Sequence, residues 1–246
     1  MRIPRIYHPI AAEPALQVQQ PVELSAEASN HVGRVLRLQP GALVELFTGD
    51  NHRYPAEIIA VTKKVVTVKV LEQISANVES PLAIHLAQGI SKGDRMDFVL
   101  QKSVELGVHS ITPLFTERCN VKLNAERLAK KQDQWQKIVI SACEQCGRNT
   151  VPQVMPALTL NDWLNTQRQG LTLTLEPTAQ DSFKQLPAHN TYHLLIGPEG
   201  GFSEHEVQLT QQHHCHPVQL GPRVLRTETA ALAAITALQS NFGDLA

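Results

Sequence analysis

The sequence predicts an α/β protein of two domains: a small amino-terminal β domain, read as a barrel, and a larger domain in which helices cover a largely parallel sheet. Three observations predict it. Residues 1–72 break into short apolar runs separated by turn residues. The polar stretch EQISANVESP, from Glu72 to Pro81, has the composition of a linker, which we place at 73–81. Over 82–246, apolar strand-length runs alternate with helical periodicity, the pattern of a parallel sheet built by crossovers.

In the first domain ALVELF (42–47) runs into the turn cluster Gly49, Asp50, Asn51, and YPAEIIAV (54–61) and KVVTVKVL (64–71) follow. The last run alternates, with Val66, Val68 and Val70 on one side and Thr67 and Lys69 on the other. After Pro81, LAIHLAQ (82–88) reads as a strand. A helix follows from about Asp94 to Leu106, with Met96, Val99, Leu100, Ser103 and Leu106 sharing a face and Arg95, Lys102 and Glu105 on the other side. SITPLF (110–115) is the next strand. The long helix after it, from about Asn124 to Cys146, has Asn124 as N-cap and repeats Leu128, Trp135, Ile138, Val139, Ala142 and Cys146 at helical spacing. Three strands remain, LTLTLEP (171–177), YHLLIGPEGGF (192–202) and HPVQLGPRVLRTE (216–228), each ending in a turn or a glycine-containing loop. Ligands of such sheets gather at the carboxyl ends of the strands.

Composition narrows the function classes. With 246 residues, 42% apolar, 18% charged and a net charge of −1, the chain is an ordinary globular protein and not a disordered one. No window reaches the roughly 18 apolar residues that span a bilayer, and MRIPRIYHPI lacks a signal-peptide core, so a cytoplasmic location without membrane attachment is expected. Cys119, Cys143, Cys146 and Cys215 are too few and too unevenly spaced for a disulfide framework. The charge is uneven: +1 over 1–72, +3 over 88–150 and −4 over 151–246. Aromatics at 4% mean that any nucleic-acid contact must rely on basic side chains and backbone amides more than on base stacking.

The sharpest local motif is LLIGPEGGFSEHE (194–206). An apolar strand enters Gly197, Pro198, Glu199, Gly200 and Gly201, after which Ser203 and Glu206 form a capping box. Glycines let a backbone turn sharply and let a ligand approach amides. The loop has neither the lysine of a phosphate-binding loop nor dinucleotide-type glycine spacing, which disfavours ATP or NAD; the bland alternative is a tight strand-to-helix turn. The second motif is VQLGPRVLRTETAALAAITALQ (218–239), where a strand ends at Gly221, a loop carries Arg223 and Arg226, and Thr227 caps a final helix with Glu228 in its first turn. Arg226 and Glu228 could equally decorate an exposed helix start. The two loops flank one potential pocket. The stretch Ala230–Leu238, low in charge, must be covered by the sheet or by another subunit. Cys143 and Cys146 form a CxxC inside a helical pattern, and His213, His214, Cys215 and His216 cluster at a turn; neither carries a metal-site spacing with a second ligand pair, so no metal is expected.

GPEGGFSEHE, LGPRVLRTETAALAA, SKGDRMDFVLQKSVELGV followed by TERC, and the helix end ACEQCGRN together resemble the ribosomal RNA small-subunit methyltransferase E family, of the SPOUT class. MRIPRIYHP and HVGRVLRL are similar to that family's PUA-like β-barrel, which makes 1–72 an RNA-binding domain and 82–246 the SPOUT methyltransferase domain. The resemblance implies an α/β fold with a deep carboxyl-terminal trefoil knot, a homodimer, S-adenosyl-L-methionine as cofactor, and methylation of uracil N3 at one uridine of 16S rRNA in the small ribosomal subunit. Competing readings are a SPOUT enzyme with another RNA target, such as a ribose oxygen, and a noncatalytic RNA-binding assembly factor.

Carried onto this chain, the resemblance places cofactor contacts at Leu175 and Glu176, at Ile196, Gly197, Pro198, Glu199, Gly200 and Gly201, and at Leu220, Gly221, Val224, Leu225 and Thr229. Adenine, an apolar plate with polar edges, suits backbone groups held between such apolar side chains, and Glu176 or Glu199 could bond the ribose or offset the sulfonium charge. The catalytic candidates are Arg226 and Arg223, to stabilise charge building on the uracil carbonyls. Glu144 with Arg148, and Lys102 with Glu105, are alternatives whose spacing also suits plain surface ion pairs. Phosphate contacts are expected from Arg2, Arg5, Arg34, Arg37, Lys92, Arg95 and Lys102. No residue is marked as the catalytic base.

Overall fold

The structure is a computed structural model and describes residues 3–9, 16–121 and 124–245. The chain divides into two compact units. One holds the residues up to Glu79 together with Cys143–Val151, the other Ser80–Ala142 together with the residues from Pro152 onward.

The first unit contains β1 (Arg5–Tyr7), β2 (Pro21–Glu23), α1 (Ala26–Asn30) running into a π turn at His31–Val35, β3 (Leu43–Phe47), β4 (His52–Val61), β5 (Val66–Val70) and β6 (Ile74–Ser75). The sheet order is β1-β3-β4-β5-β2, with β6 on β4. β1 joins β3 in parallel and the other pairings are antiparallel. The alternation read in the sequence holds: Val66, Val68 and Val70 are buried and join Ile6, Val22, Val44, Leu46 and Ile58 in one apolar core. Within the polar stretch after Val70, Ile74 and Ser75 pair with Arg53 and His52, so part of it is strand.

The second unit contains β7 (Ala83–Gly89), α2 (Asp94–Glu105), β8 (Ser110–Phe115), α3 (Ala125–Cys146) up to Ala142, β9 (Gln153–Val154), β10 (Leu158–Thr159), α4 (Leu160–Leu164), β11 (Leu171–Leu175), a 3-10 turn at Phe183–Gln185, β12 (Thr191–Ile196), α5 (Glu204–Gln212), β13 (His216–Val218) and α6 (Thr227–Phe242). Its sheet runs β10-β8-β7-β12-β11-β13, with β9 on β8, and every pairing is parallel. Ala87 and Leu195, register partners on β7 and β12, pack into the cluster formed with Leu160, Trp163 and Leu164 of α4. Their chain neighbours Leu86 and Leu194 point to the other face by the two-residue period of a strand and are equally buried.

α2 buries Met96, Val99, Leu100 and Ser103 as predicted, but Val104 replaces Leu106, which is the C-cap. Gly107 follows it at φ +85°, the left-handed residue that ends the helix. Asn124 accepts the Arg127 N–H at 2.9 Å and is the N-cap expected for α3. α6 packs on α2 and on the sheet, burying Ala231, Ala234, Ile235 and Leu238 inside this unit.

Candidate functional site

Three adjacent parallel strands set up the site. Thr174 of β11 pairs with Leu195 of β12, and Leu175 of β11 with Val218 of β13, so their carboxyl ends lie side by side. The segments that leave those ends enclose a cavity of about 410 Å³, within the range of small-molecule sites. Leu175, Glu176, Ile196, Gly197, Pro198, Glu199, Gly200, Gly201, Leu220, Gly221, Val224 and Leu225, the residues the resemblance offers to the cofactor, all line it. Thr229 does not, and sits exposed on α6. Val224 is 84% exposed, an apolar side chain left open to solvent at the cavity.

The glycine loop is shaped from several directions. The Gly201 N–H donates to the Pro198 carbonyl at 2.9 Å, and Gly201 has φ +65°, so the turn favours glycine there. The predicted capping box is formed: Ser203 Oγ accepts the Glu206 N–H at 3.1 Å and Glu206 Oε2 accepts the Ser203 N–H at 2.9 Å. The second oxygen of Glu206 accepts the Glu117 N–H at 2.8 Å and ties α5 to the segment after β8. Gly89, the last residue of β7, lies so close to the loop that a Cβ there would meet Pro198 N at 2.5 Å.

Thr227 corrects the expectation of a helix cap. The N-cap is Arg226, whose side chain makes no capping bond, and Thr227 is the first helical residue. Its hydroxyl is engaged sideways, donating to the Gly197 carbonyl at 2.6 Å and accepting from Gln88 Nε2 at 2.9 Å. Arg118, in the TERC motif but given no role from the sequence, also lines the cavity and donates from Nη1 to the Gly200 carbonyl at 3.0 Å.

The two cavity carboxylates differ. Glu176 is buried, its Oε1 has no hydrogen-bond partner among the described residues, and burial raises its pKa. For Glu199 burial pushes upward too, but its own backbone N–H, the Lys92 N–H at 3.1 Å and the Arg95 guanidinium at 2.9 Å outweigh it and hold the carboxyl below its ordinary value. Arg95 and Lys92, expected at RNA, are thereby brought to the glycine loop. Arg223 lines the cavity; Arg226 is exposed at the start of α6 and is not part of the lining.

The remaining candidates lie elsewhere. Lys102 pairs with Glu105 at 2.7 Å on α2. In the first unit Glu144 accepts the Tyr7 N–H at 3.1 Å and has its pKa raised by burial, while Arg148 is buried in an ion pair with Glu79, with Nε 3.1 Å from either carboxylate oxygen. Arg5 pairs with Glu45 and donates to Asn149 Oδ1 at 2.7 Å. Arg34 and Arg37 are exposed, Arg34 donating to the Lys63 carbonyl at 3.1 Å. Arg2 lies outside the described residues. Among the described residues no group of His, Cys, Asp or Glu is arranged to hold a metal, and no helix is long and apolar enough to cross a membrane.

A second hollow, of about 310 Å³, lies over β7, β8 and β12 and is lined by His85, His193, Trp163 and Arg168 among others. The His85 and His193 rings stack at 4.8 Å, His109 meets His85 edge-on at 5.1 Å, and His85 Nδ1 is 2.7 Å from Ser110 Oγ. Burial and then the neighbouring imidazoles hold His85 down at about 4.

A family model described as an RNA methyltransferase domain matches residues 78–239, and one described as an RNA methyltransferase PUA domain matches 24–71. The chain is 42% identical to the ribosomal RNA small subunit methyltransferase E of Buchnera aphidicola subsp. Schizaphis graminum, over 99% of this chain and 98% of that protein. The Bacillus subtilis protein of the same name is 31% identical over 87% and 88%. Among solved structures, a methyltransferase from Legionella pneumophila in complex with bound SAM superposes with a TM-score of 0.96 at 49% identity, covering all of both chains. A ribosomal RNA small subunit methyltransferase E from Neisseria gonorrhoeae bound to S-adenosyl methionine gives 0.91 at 40%, again over all of both chains.

Proposed function

The chain belongs to the ribosomal RNA small-subunit methyltransferase E family, and from that premise we propose that it methylates 16S rRNA at N3 of one uracil, in the small ribosomal subunit, using S-adenosylmethionine. The observation that carries the cofactor assignment is the cavity at the ends of β11, β12 and β13, with its glycine loop and a Glu176 oxygen that has no partner among the described residues. When bound, S-adenosylmethionine supplies a sulfonium-activated methyl group for in-line displacement by an acceptor atom. Leu175, Ile196, Leu220 and Leu225 bracket its adenine, and Glu176, an acceptor inside the cavity, suits the ribose hydroxyls. Arg223 and Arg226 flank the start of α6, where helix-start amides add to their positive potential, and they stabilise charge on the uracil carbonyls as N3 loses its proton.

We assign RNA binding to 1–72, read as a PUA-like barrel, and methyl transfer to 82–246, with 73–81 between them as a linker that lends β6 to the first unit's sheet and with Cys143–Val151 packed in that unit. Exposed Arg34 and Arg37, inside the PUA match, serve as phosphate contacts together with Lys92. The family reading adds a carboxyl-terminal knot and a homodimer working in the cytoplasm, where its substrate is. The test is methyl transfer from labelled S-adenosylmethionine to small subunits lacking the modification, with mapping of the modified nucleotide. Label at a single uracil N3 is expected. Label on a ribose or on another RNA overturns the target, and absence of donor binding by calorimetry overturns the enzyme.

A further inference from the structure

We infer that Thr227 and Gln88 are positioning residues that hold the base of the glycine loop against the start of α6 and so set the shape of the donor cavity, an inference that rests on reading that cavity as the S-adenosylmethionine site. Gln88 is the penultimate residue of β7 and is fully buried. It lies beside Ile196 in the sheet register, directly below the point where the chain enters the loop. Its Nε2 donates to Thr227 Oγ1 at 2.9 Å and to the Gly89 carbonyl at 3.0 Å. Thr227 is 5% exposed and its hydroxyl donates to the Gly197 carbonyl at 2.6 Å. A hydroxyl has one proton. With the amide donating to it, that proton is directed to Gly197, so the order amide to hydroxyl to carbonyl is fixed.

Two details separate this chain of bonds from routine satisfaction of a helix end. The Thr227 hydroxyl contributes nothing to capping, since Arg226 occupies the N-cap position. Gln88 Oε1 is left buried with no partner among the described residues, a cost tolerated while the other end of the amide holds the loop. The bonds join β7, the loop after β12 and the first turn of α6. Thr227 and Gly197 both line the cavity, whereas Gln88 does not and acts through them. Deleting the hydroxyl strands the Gly197 carbonyl and releases the loop from α6.

The experiment compares Thr227→Val, Thr227→Ser and Ser103→Ala in the full chain, by calorimetric titration with S-adenosylmethionine, thermal melting and donor KM against kcat. Ser103 is a buried hydroxyl on α2 that donates to the Leu100 carbonyl at 3.1 Å and does not line the cavity. Thr227→Val, which leaves the Gly197 carbonyl without its donor, is expected to weaken donor binding by roughly ten- to a hundredfold and to raise the donor KM. Thr227→Ser is expected to restore affinity, and Ser103→Ala to lower the melting temperature with donor affinity unchanged. Should Thr227→Val not fold, Gln88→Met, which keeps the length of the side chain and removes the amide, carries the same expectation. A folded Thr227→Val or Gln88→Met protein with wild-type donor affinity overturns the positioning role, as does a Thr227→Ser protein as weak as Thr227→Val. A wild-type protein that takes no S-adenosylmethionine overturns the donor-site reading itself.

Discussion

Replacing Gly89 by alanine adds one methyl group at the tightest contact of the glycine loop. The new Cβ would stand 2.5 Å from Pro198 N, 2.7 Å from Pro198 Cδ and 2.9 Å from the Gly197 carbonyl carbon. Two of these are backbone atoms, so no flexible side chain can swing aside. Ordinary contact begins near 3.4 Å, and the loop must therefore withdraw by about 0.9 Å or β7 must give way by the same amount. Overpacking of this kind costs about 1–3 kcal/mol of stability, which for a chain of this size lowers Tm by roughly 2–4 °C per kcal/mol. Because Gly197 and Pro198 line the cavity, a shift of that size is also expected to weaken donor binding. Thermal melting reads the first effect and calorimetry with S-adenosylmethionine the second. A Gly89→Ala protein with wild-type Tm and wild-type donor affinity would refute the claim that this close approach shapes the site.

Gly200→Val places a branched side chain in the cavity wall, its Cβ 3.0 Å from Arg118 Cβ, and is expected to abolish donor binding in a titration while leaving the fold intact by circular dichroism. Arg34→Glu combined with Arg37→Glu reverses two exposed charges in the first unit; filter binding to small subunits is expected to weaken, with a smaller salt dependence, at unchanged donor affinity. The His85 cluster predicts a pH effect on stability. A histidine held down at about 4 when folded, against about 6.5 unfolded, leaves the unfolded chain binding more protons between those values. Stability is then full above about 6.5, falls as pH drops toward 4 and flattens below, with about 1–2 kcal/mol at stake after discounting for the partial exposure of the ring. His85→Gln should flatten that part of a urea-denaturation pH profile, and an unaltered slope would exclude His85 as its source.

The strands that build the cavity were legible because each is an apolar run ended by a glycine-containing loop, and the capping box of Ser203 and Glu206 was legible because both partners lie within four residues. The features that the sequence does not mark depend on contacts distant along the chain. Gln88 and Thr227 meet across 139 positions and Arg118 reaches Gly200 across 82, and nothing local marks such pairs. As a threonine ahead of an apolar helix, Thr227 fits the capping rule; only the fold reveals that its hydroxyl donates to the Gly197 carbonyl instead. β1 and β2, three residues each, are too short to show alternation. Leu106 fits the helical period, but Gly107 ends α2 before that period can act.

The position of β12 has a kinetic consequence. It is synthesised late, yet its edges are what β7 and β11 need, and β7 waits more than a hundred residues for it. A growing polypeptide therefore carries two apolar strands that cannot join each other, because the gap between them is reserved for one not yet made. Pairings so remote in sequence close slowly, and the unfinished chain exposes sticky edges meanwhile. Folding of the larger unit should start late and finish abruptly, with partial chains relying on chaperones until β12 has left the ribosome.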